Sequence, residues 1–322
     1  MTDILLATYN GERYIGELLR SIEAQTFEDW RLIVSDDGST DATVDIVREF
    51  MERMPEGRVE LVVNVPGTGS ARDNFMKALI LCSGDYTMFC DQDDVWLETK
   101  IEDTLGKMLE AEAAIRKETG TPEWEMPYPV LVHTDAFVTD EQLKITDRSF
   151  MKHMGFKKEL SRNERLIQNN CVGATCMMNR ALTEMMQLAA PGSVHMTMHD
   201  HFASLIASAF GRVVYLDRPL MLYRQHGDNS VGAVKKTDAI GSGKGRDAAR
   251  ADFRIMMDRY CEQARYFMYL FEPYMNDVAD LKLFMDFGRL YRKGKAGRVS
   301  FCLRHGIMKT GKTKKAGQIL WI

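Results

Sequence analysis

Residues Tyr86 to Trp96 read YTMFCDQDDVW, and the reading of the whole chain turns on them. Tyr86 to Cys90 are mostly apolar or aromatic and suit a buried strand. Asp91, Asp93 and Asp94 follow at once, with Gln92 among them and the apolar pair Val95–Trp96 behind. Carboxylates crowded at a strand end repel one another and lose hydration. A hard divalent cation relieves that crowding, because Mg2+ takes one or two carboxylates and completes its shell with substrate phosphates. Two readings stand for this stretch alone: a metal–diphosphate site at a strand end, or an acidic loop capping the helix after Trp96.

Working outward, the preceding residues repeat one pattern. Asp3–Ala7 is a short apolar strand that runs into Thr8-Tyr9-Asn10-Gly11, where Asn-Gly tolerates positive φ. Tyr14, Ile15, Leu18, Leu19 and Ile22 form a helical stripe. Trp30–Val34 is a second strand, ending in Ser35-Asp36-Asp37-Gly38-Ser39-Thr40-Asp41. Val44, Val47, Phe50 and Met51 mark a second helix, Val59–Val63 a third strand, and Ala71–Leu81 a third helix. Strands alternating with helices predict an α/β fold, a mostly parallel sheet flanked by helices. Ligands of such sheets sit outside the carboxyl ends of the strands. Solvated loops would explain each polar cluster singly. They do not explain why Thr8–Asn10, Ser35–Thr40 and Asp91–Asp94 fall on one rim.

Downstream the pattern is less regular. It predicts a helix over Glu98–Lys117, strands over Val130–His133 and Ala174–Met178, and a helix over Arg180–Leu188. Met198-His199-Asp200-His201 precede an apolar helix, Phe202–Phe210, for which Asp200 is a candidate N-cap. Two strand-like runs, Val213–Leu216 and Leu220–Tyr223, lead to Arg224-Gln225-His226-Gly227-Asp228-Asn229. Ala233–Asp247 is rich in Gly, Ser and Lys and reads as a linker. From Ala248 a helical stripe runs through Phe253, Ile255, Met256, Tyr260, Ala264, Phe267 and Leu270. The expected division is residues 1–232 as the α/β domain and 233–322 as linker and helical, basic C-terminal region.

The 322 residues are 45% hydrophobic and 27% charged, ordinary values for a soluble globular protein. Six cysteines show no C-x-x-C pair and no zinc spacing, so they read as reduced core residues of a cytoplasmic protein. No leader pattern opens the sequence and no apolar run is long enough to span a bilayer. The net charge of -4 hides an asymmetry: Phe287–Ile322 carries ten Lys or Arg and no acid, leaving -14 for the rest. Interleaved with those cations are Leu290, Val299, Phe301, Leu303, Ile307, Ile319, Leu320 and Trp321. The segment reads as an amphipathic surface for anionic lipid, or as a solvated, frayed terminus. Nucleic-acid binding is disfavoured by the acidic remainder and the absence of any nucleic-acid motif.

The order of motifs resembles family 2 glycosyltransferases, which have the GT-A fold. ILLATYNGERYIGELLRSIEAQTFEDWRLIVSDDGSTD is similar to that family's N-terminal half, and FCDQDDVW to its D-x-D region. MHDHFASLIASAFGRVVYLDRPLMLYRQHGDNSVG resembles the second half of bacterial rhamnosyltransferase-like members. The likeness covers roughly residues 3 to 232. It implies a GT-A, Rossmann-like sheet and transfer of a sugar from a nucleoside diphosphate to a hydroxyl of a cell-surface or lipid-linked glycan. Rhamnose from dTDP-rhamnose is favoured, with UDP-hexose or UDP-HexNAc as the alternative. The implied cofactor is Mg2+ or Mn2+, held by Asp93 and Asp91, with His226 completing the shell; Asp91 alternatively binds ribose. Tyr9 resembles the base-stacking aromatic and Asp37 the acceptor for a pyrimidine N–H. Ala7 and Thr8 line the same pocket, and Arg72, Asn74 and Arg224 reach nucleotide or phosphate. Asp200 matches the catalytic base of an inverting transfer, in a His-Asp pair where the family usually has Glu-Asp. The implied location is cytoplasmic, with a peripheral position on the inner face of the cell membrane.

Other enzyme classes fit less well. A dehydrogenase needs a glycine-rich turn after the first strand, and Thr8-Tyr9-Asn10-Gly11 is not one. A phosphatase with an aspartyl nucleophile carries it on the first strand of its sheet, whereas Asp91 and Asp93 follow the fourth. A nucleotidyltransferase wants a glycine-rich, basic N-terminal loop for a triphosphate, and Gly11 with Arg13 is thin support. Outside the enzymes stands a nucleotide-sugar or glycan scaffold without turnover, against which Asp93 and Asp200 together argue.

Overall fold

The computed structural model describes residues 1–122, 124–227 and 246–322. Strand β1 (Thr2–Thr8) is its centre, with Ile4, Leu5 and Leu6 wholly buried. Such a continuous apolar run belongs to a strand covered on both faces. β1 lies parallel between β2 (Trp30–Asp36) and β4 (Tyr86–Asp91), and β3 (Val59–Val63) lies parallel to β2. Helices α1 (Ile15–Glu23), α2 (Thr43–Arg53) and α3 (Ala71–Leu79) make the connections. This half has the expected parallel order, β3-β2-β1-β4.

Beyond β4 short antiparallel pairings join the mostly parallel sheet. Among the described residues it has nine strands, continuing from β4 through β8 (Cys176–Asn179), β6 (Val130–Thr139) and β9 (Arg212–Arg224) to β5 (Val95–Trp96). β8 is antiparallel to both β4 and β6, and β7 (Ile145–Asp147) is antiparallel to β6. Only β9 resumes a parallel pairing with β6. Apolar runs such as VLVH and TCMM announce buried strands, but their direction depends on distant connections. The two runs expected on either side of Pro219 are one strand, β9, whose register against β6 shifts near Asp135.

The sheet separates two apolar layers. Ile4, Leu6, Val34 and Met88 face α1, α2 and α4 (Lys100–Thr119). Leu5, Ile33 and Phe89 face α3, α7 (Arg180–Ala189) and α8 (His199–Phe210). That second layer also takes up the C-terminal helices α9 (Arg246–Phe271), α10 (Val278–Gly288), α11 (Lys295–Arg304) and α12 (Lys312–Trp321). On α9 the buried stripe runs through Phe253, Met257, Cys261, Ala264, Phe267 and Phe271. Ile255 and Met256, expected on it, are 61% and 40% exposed, because helical periodicity places Met257 above Phe253 instead. The basic segment is not frayed: Leu290, Cys302, Ile307 and Ile322 are buried in the same cluster as Leu5. The linker Ala233–Asp247 and the 232/233 division fall at or beyond the edge of the described residues, as do Asp228 and Asn229. Among the described residues no helix is long and apolar enough to cross a membrane.

Candidate active site

Three strand ends meet at one rim because β1 lies between β2 and β4, with Ala7 level with Ser35 on one side and Asp91 on the other. Asp36, fully buried, knits the first two ends together. It accepts from the Thr8 hydroxyl at 2.9 Å, from the backbone N–H of Gly38 and Ser39, and from the Ser39 hydroxyl. The Thr8 hydroxyl is thus turned inward, and Thr8 lines the rim through its backbone. Asp37 accepts from the Thr68 and Gly69 amides and the Thr68 hydroxyl, which fixes its carboxylate against that loop. Tyr9 beside them is 58% exposed.

Gln92, which looked like a spacer among the acids, clamps Tyr9. Its side chain accepts from the Tyr9 N–H at 2.9 Å and donates to the Tyr9 carbonyl at 3.0 Å. The clamp needs Gly11, since a Cβ there would lie 2.3 Å from Gln92 Oε1. Asn10 carries the positive φ of this turn, at 46°.

The acids themselves divide by environment. Burial and the neighbouring Asp93 push Asp91 up to about 7. Asp94 is buried and raised well above the ordinary carboxylate range, first by burial and then by Asp93 and Asp91. One of its oxygens accepts from the Arg224 N–H at 3.1 Å; the other is buried without a hydrogen-bond partner. Asp93 Oδ2 lies 2.7 Å from His226 Nε2, and the His226 ring packs 4.7 Å from that of Tyr14. Among the described residues no three His, Cys, Asp or Glu side chains stand together as a ready metal cage. A crowded set of hard oxygens with one orphaned buried atom fits a cation that draws its remaining ligands from phosphate and water. Asp91 and Asp93 are the residues to hold it, while His226 bears on Asp93.

Two basic residues and one amide expected at the nucleotide are engaged elsewhere. Arg224 is 3% exposed; its guanidinium pairs with Glu17, donates to the Asp93 and Glu141 carbonyls, and lies 4.6 Å from the Tyr14 ring. These contacts tie the acidic run to α1 and to Glu141. Asn74 is buried and ties Ser35, Asn64 and the Thr8 carbonyl together, so it organises the strand ends beneath the rim. Arg72 makes a two-pronged pair with Asp73 and donates to the Met196 carbonyl. It joins α3 to the segment that leads to Asp200.

Asp200 lies in the first turn of α8, which begins at His199 after Met198, so it is not the N-cap. Its carboxylate accepts from the His201 N–H at 2.6 Å and the Gly173 N–H at 3.1 Å. Burial holds it up at about 7, and Asp91 lies near enough to add to the rise. A carboxylate poised there can take a proton near neutral pH. His199 is packed between Phe75 and Phe89 with neither ring nitrogen hydrogen-bonded, and burial lowers it to about 3, so it is neutral. His201 donates through Nε2 to the Arg165 carbonyl and shares a hydrogen bond with the Thr197 hydroxyl at Nδ1, a packing role.

Comparison with known proteins gives the family and the fold. The sequence profile of Glycosyl transferase family 2 matches residues 3–185. The dTDP-rhamnosyl transferase RfbG of Shigella flexneri is 28% identical over 71% of this chain and 74% of its own length. The glucosyltransferase WfgD of Escherichia coli, which acts with UDP-Glc, is 33% identical over 34% of this chain and 41% of its own length. Among solved structures, Staphylococcus aureus TarS 1-349 in complex with UDP-GlcNAc superposes with a TM-score of 0.54 at 16% identity. That match covers 94% of this chain and 80% of TarS 1-349, and it shows a shared GT-A fold.

Proposed function

The chain belongs to glycosyl transferase family 2 and is a glycosyltransferase acting with a nucleotide sugar, and from that premise we propose an inverting, metal-assisted rhamnosyl transfer. The observation that carries the reading is Asp200, a buried carboxyl raised to about 7 and near enough to Asp91 to feel its charge. Tyr9 stacks on the pyrimidine and Asp37 accepts its N–H, with Ala7 and the Thr8 backbone alongside. Asp93 and Asp91 would hold Mg2+ or Mn2+, which would supply charge neutralisation for the departing diphosphate. Asp200 takes the proton of an acceptor hydroxyl, and the freed oxygen attacks the anomeric carbon from the side opposite the diphosphate. The likeness to RfbG, a dTDP-rhamnosyl transferase, supports dTDP-rhamnose as donor.

The test is slow hydrolysis of a donor panel with Mg2+ or Mn2+. Release of dTDP from dTDP-rhamnose ahead of UDP from UDP-hexoses is the expected result. No release from any donor favours a glycan-binding scaffold. Near-normal turnover by Asp200→Asn with unchanged donor binding removes Asp200 as base.

The C-terminal region supports a peripheral place on anionic membrane. Lys312, Lys314 and Lys315 are exposed on α12 beside Ile319 and Leu320, which are 41% and 51% exposed. Each cation near such a surface adds about 1 kcal/mol. Co-sedimentation with phosphatidylglycerol vesicles is expected to fall when all three lysines become Ala. Equal binding by both proteins sinks the proposal.

A further inference from the structure

Lys100 breaks two rules at once. It is fully buried, and it sits in the first turn of α4, where the helix dipole repels a cation. Such local violations persist where a site needs them. Its ammonium lies 4.1 Å from the Trp96 ring centroid, donates to the Ala174 carbonyl, and touches Met221 Sδ at 3.2 Å. Burial lowers it to about 8, while the field of Asp94 and Asp91 acts the other way.

Ala174 belongs to the one-turn segment Gly173–Thr175, and its neighbour Gly173 donates to the Asp200 carboxylate. The same turn presses on His199, since a Cβ on Gly173 would lie 2.8 Å from His199 Nε2. Asp200, the turn and Lys100 thus form one continuous link from the proposed base to the helix that follows the acidic run. We propose that Lys100 is a positioning residue: its ammonium holds the Gly173–Thr175 turn and, through the Gly173 N–H, sets the Asp200 carboxylate against Asp91 and Asp93. The inference rests on the roles given above to those three acids.

The experiment compares Lys100→Met, which keeps length but cannot donate, with Lys100→Gln, which keeps a donor without charge. Hydrogen exchange on the full chain reads the turn without any activity. In Lys100→Met the amides of residues 173–175 exchange at least about tenfold faster, and Lys100→Gln stays near wild type. With the donor that wild type hydrolyses, Lys100→Met loses on the order of 100-fold in kcat at a donor KM within about twofold. Added to Asp200→Asn it causes no further loss, since both act on one group. Unchanged exchange in Lys100→Met overturns the proposal. So do equal effects of Met and Gln, which assign the role to charge rather than to the Ala174 contact. Faster exchange in Lys100→Met together with full turnover by Asp200→Asn supports the link and removes Asp200 as base. If Lys100→Met does not fold, Lys100→Ala serves as the variant without a donor.

Discussion

His226 Nε2 and Asp93 Oδ2 lie 2.7 Å apart, joining the end of β9 to the acidic run after β4. The contact fixes the carboxylate expected to hold the metal, as outer partners of metal ligands commonly do. His226→Ala should therefore weaken Mn2+ binding about 10- to 100-fold, read by calorimetry or by the Mn2+ resonance. Its side chain is 8% exposed and packs on Tyr14, so the melting temperature should also fall, by about 2–4 °C per kcal/mol lost. Unchanged Mn2+ affinity removes His226 from the metal's surroundings.

Asp200 makes stability depend on pH. Its carboxyl titrates near 3.8 in the unfolded chain and at about 7 in the fold, because burial disfavours the charged form. Between those values the folded state binds the proton more tightly, so stability falls as pH rises and levels off above about 7. Asp200→Asn removes that penalty. Its melting temperature should exceed wild type at about pH 8, by about 2–4 °C per kcal/mol, and the two should converge at about pH 4. Wild-type kcat should rise through pH of about 7 on its acid side, since only the carboxylate can act as base.

Asn74→Ala leaves the Ser35 hydroxyl and carbonyl and the Asn64 amide short of partners in a buried place. Unmade buried hydrogen bonds put the expected loss at about 2–3 kcal/mol, measured by urea unfolding. A loss of donor affinity with full stability would instead place Asn74 at the nucleotide.

Gln92→Ala releases the Tyr9 backbone, which Gln92 holds through both its N–H and its carbonyl. These bonds are near the surface, so stability should drop by only about 1 kcal/mol. The donor KM should rise about tenfold with kcat little changed, because the stacking ring loses its fixed place while the acids keep theirs. An unaltered KM separates Tyr9 from donor binding.

Much of this was legible in the residues. Alternating apolar runs and polar strand exits announced the first four strands, their parallel order and a shared rim, because period and turn chemistry are local properties. Asp91 and Asp93 stand out because acids crowded at a strand end need a reason, whereas Asp200 is marked as base only by the resemblance. Arg224 and Asn74 are expected at the nucleotide from the resemblance alone, since a letter does not say that either side chain is buried and already hydrogen-bonded. Gln92 and Lys100 were passed over for the same cause: a glutamine among acids and a lysine early in a polar helix look solvated.

By itself, then, the sequence determined the alternation of strands and helices, the acidic strand end YTMFCDQDDVW and the family of the chain. Tertiary structure alone decided the mixed direction of the later strands, the docking of the basic C-terminus into the core, and the partners of each charge. The reason is physical. Periodicity and turn preference act over a few residues, whereas His226 meets Asp93, and Lys100 meets Ala174, only after distant segments pack and exclude water. Burial then sets Asp200 and Asp91 near neutrality, a property that neither residue has in the unfolded chain.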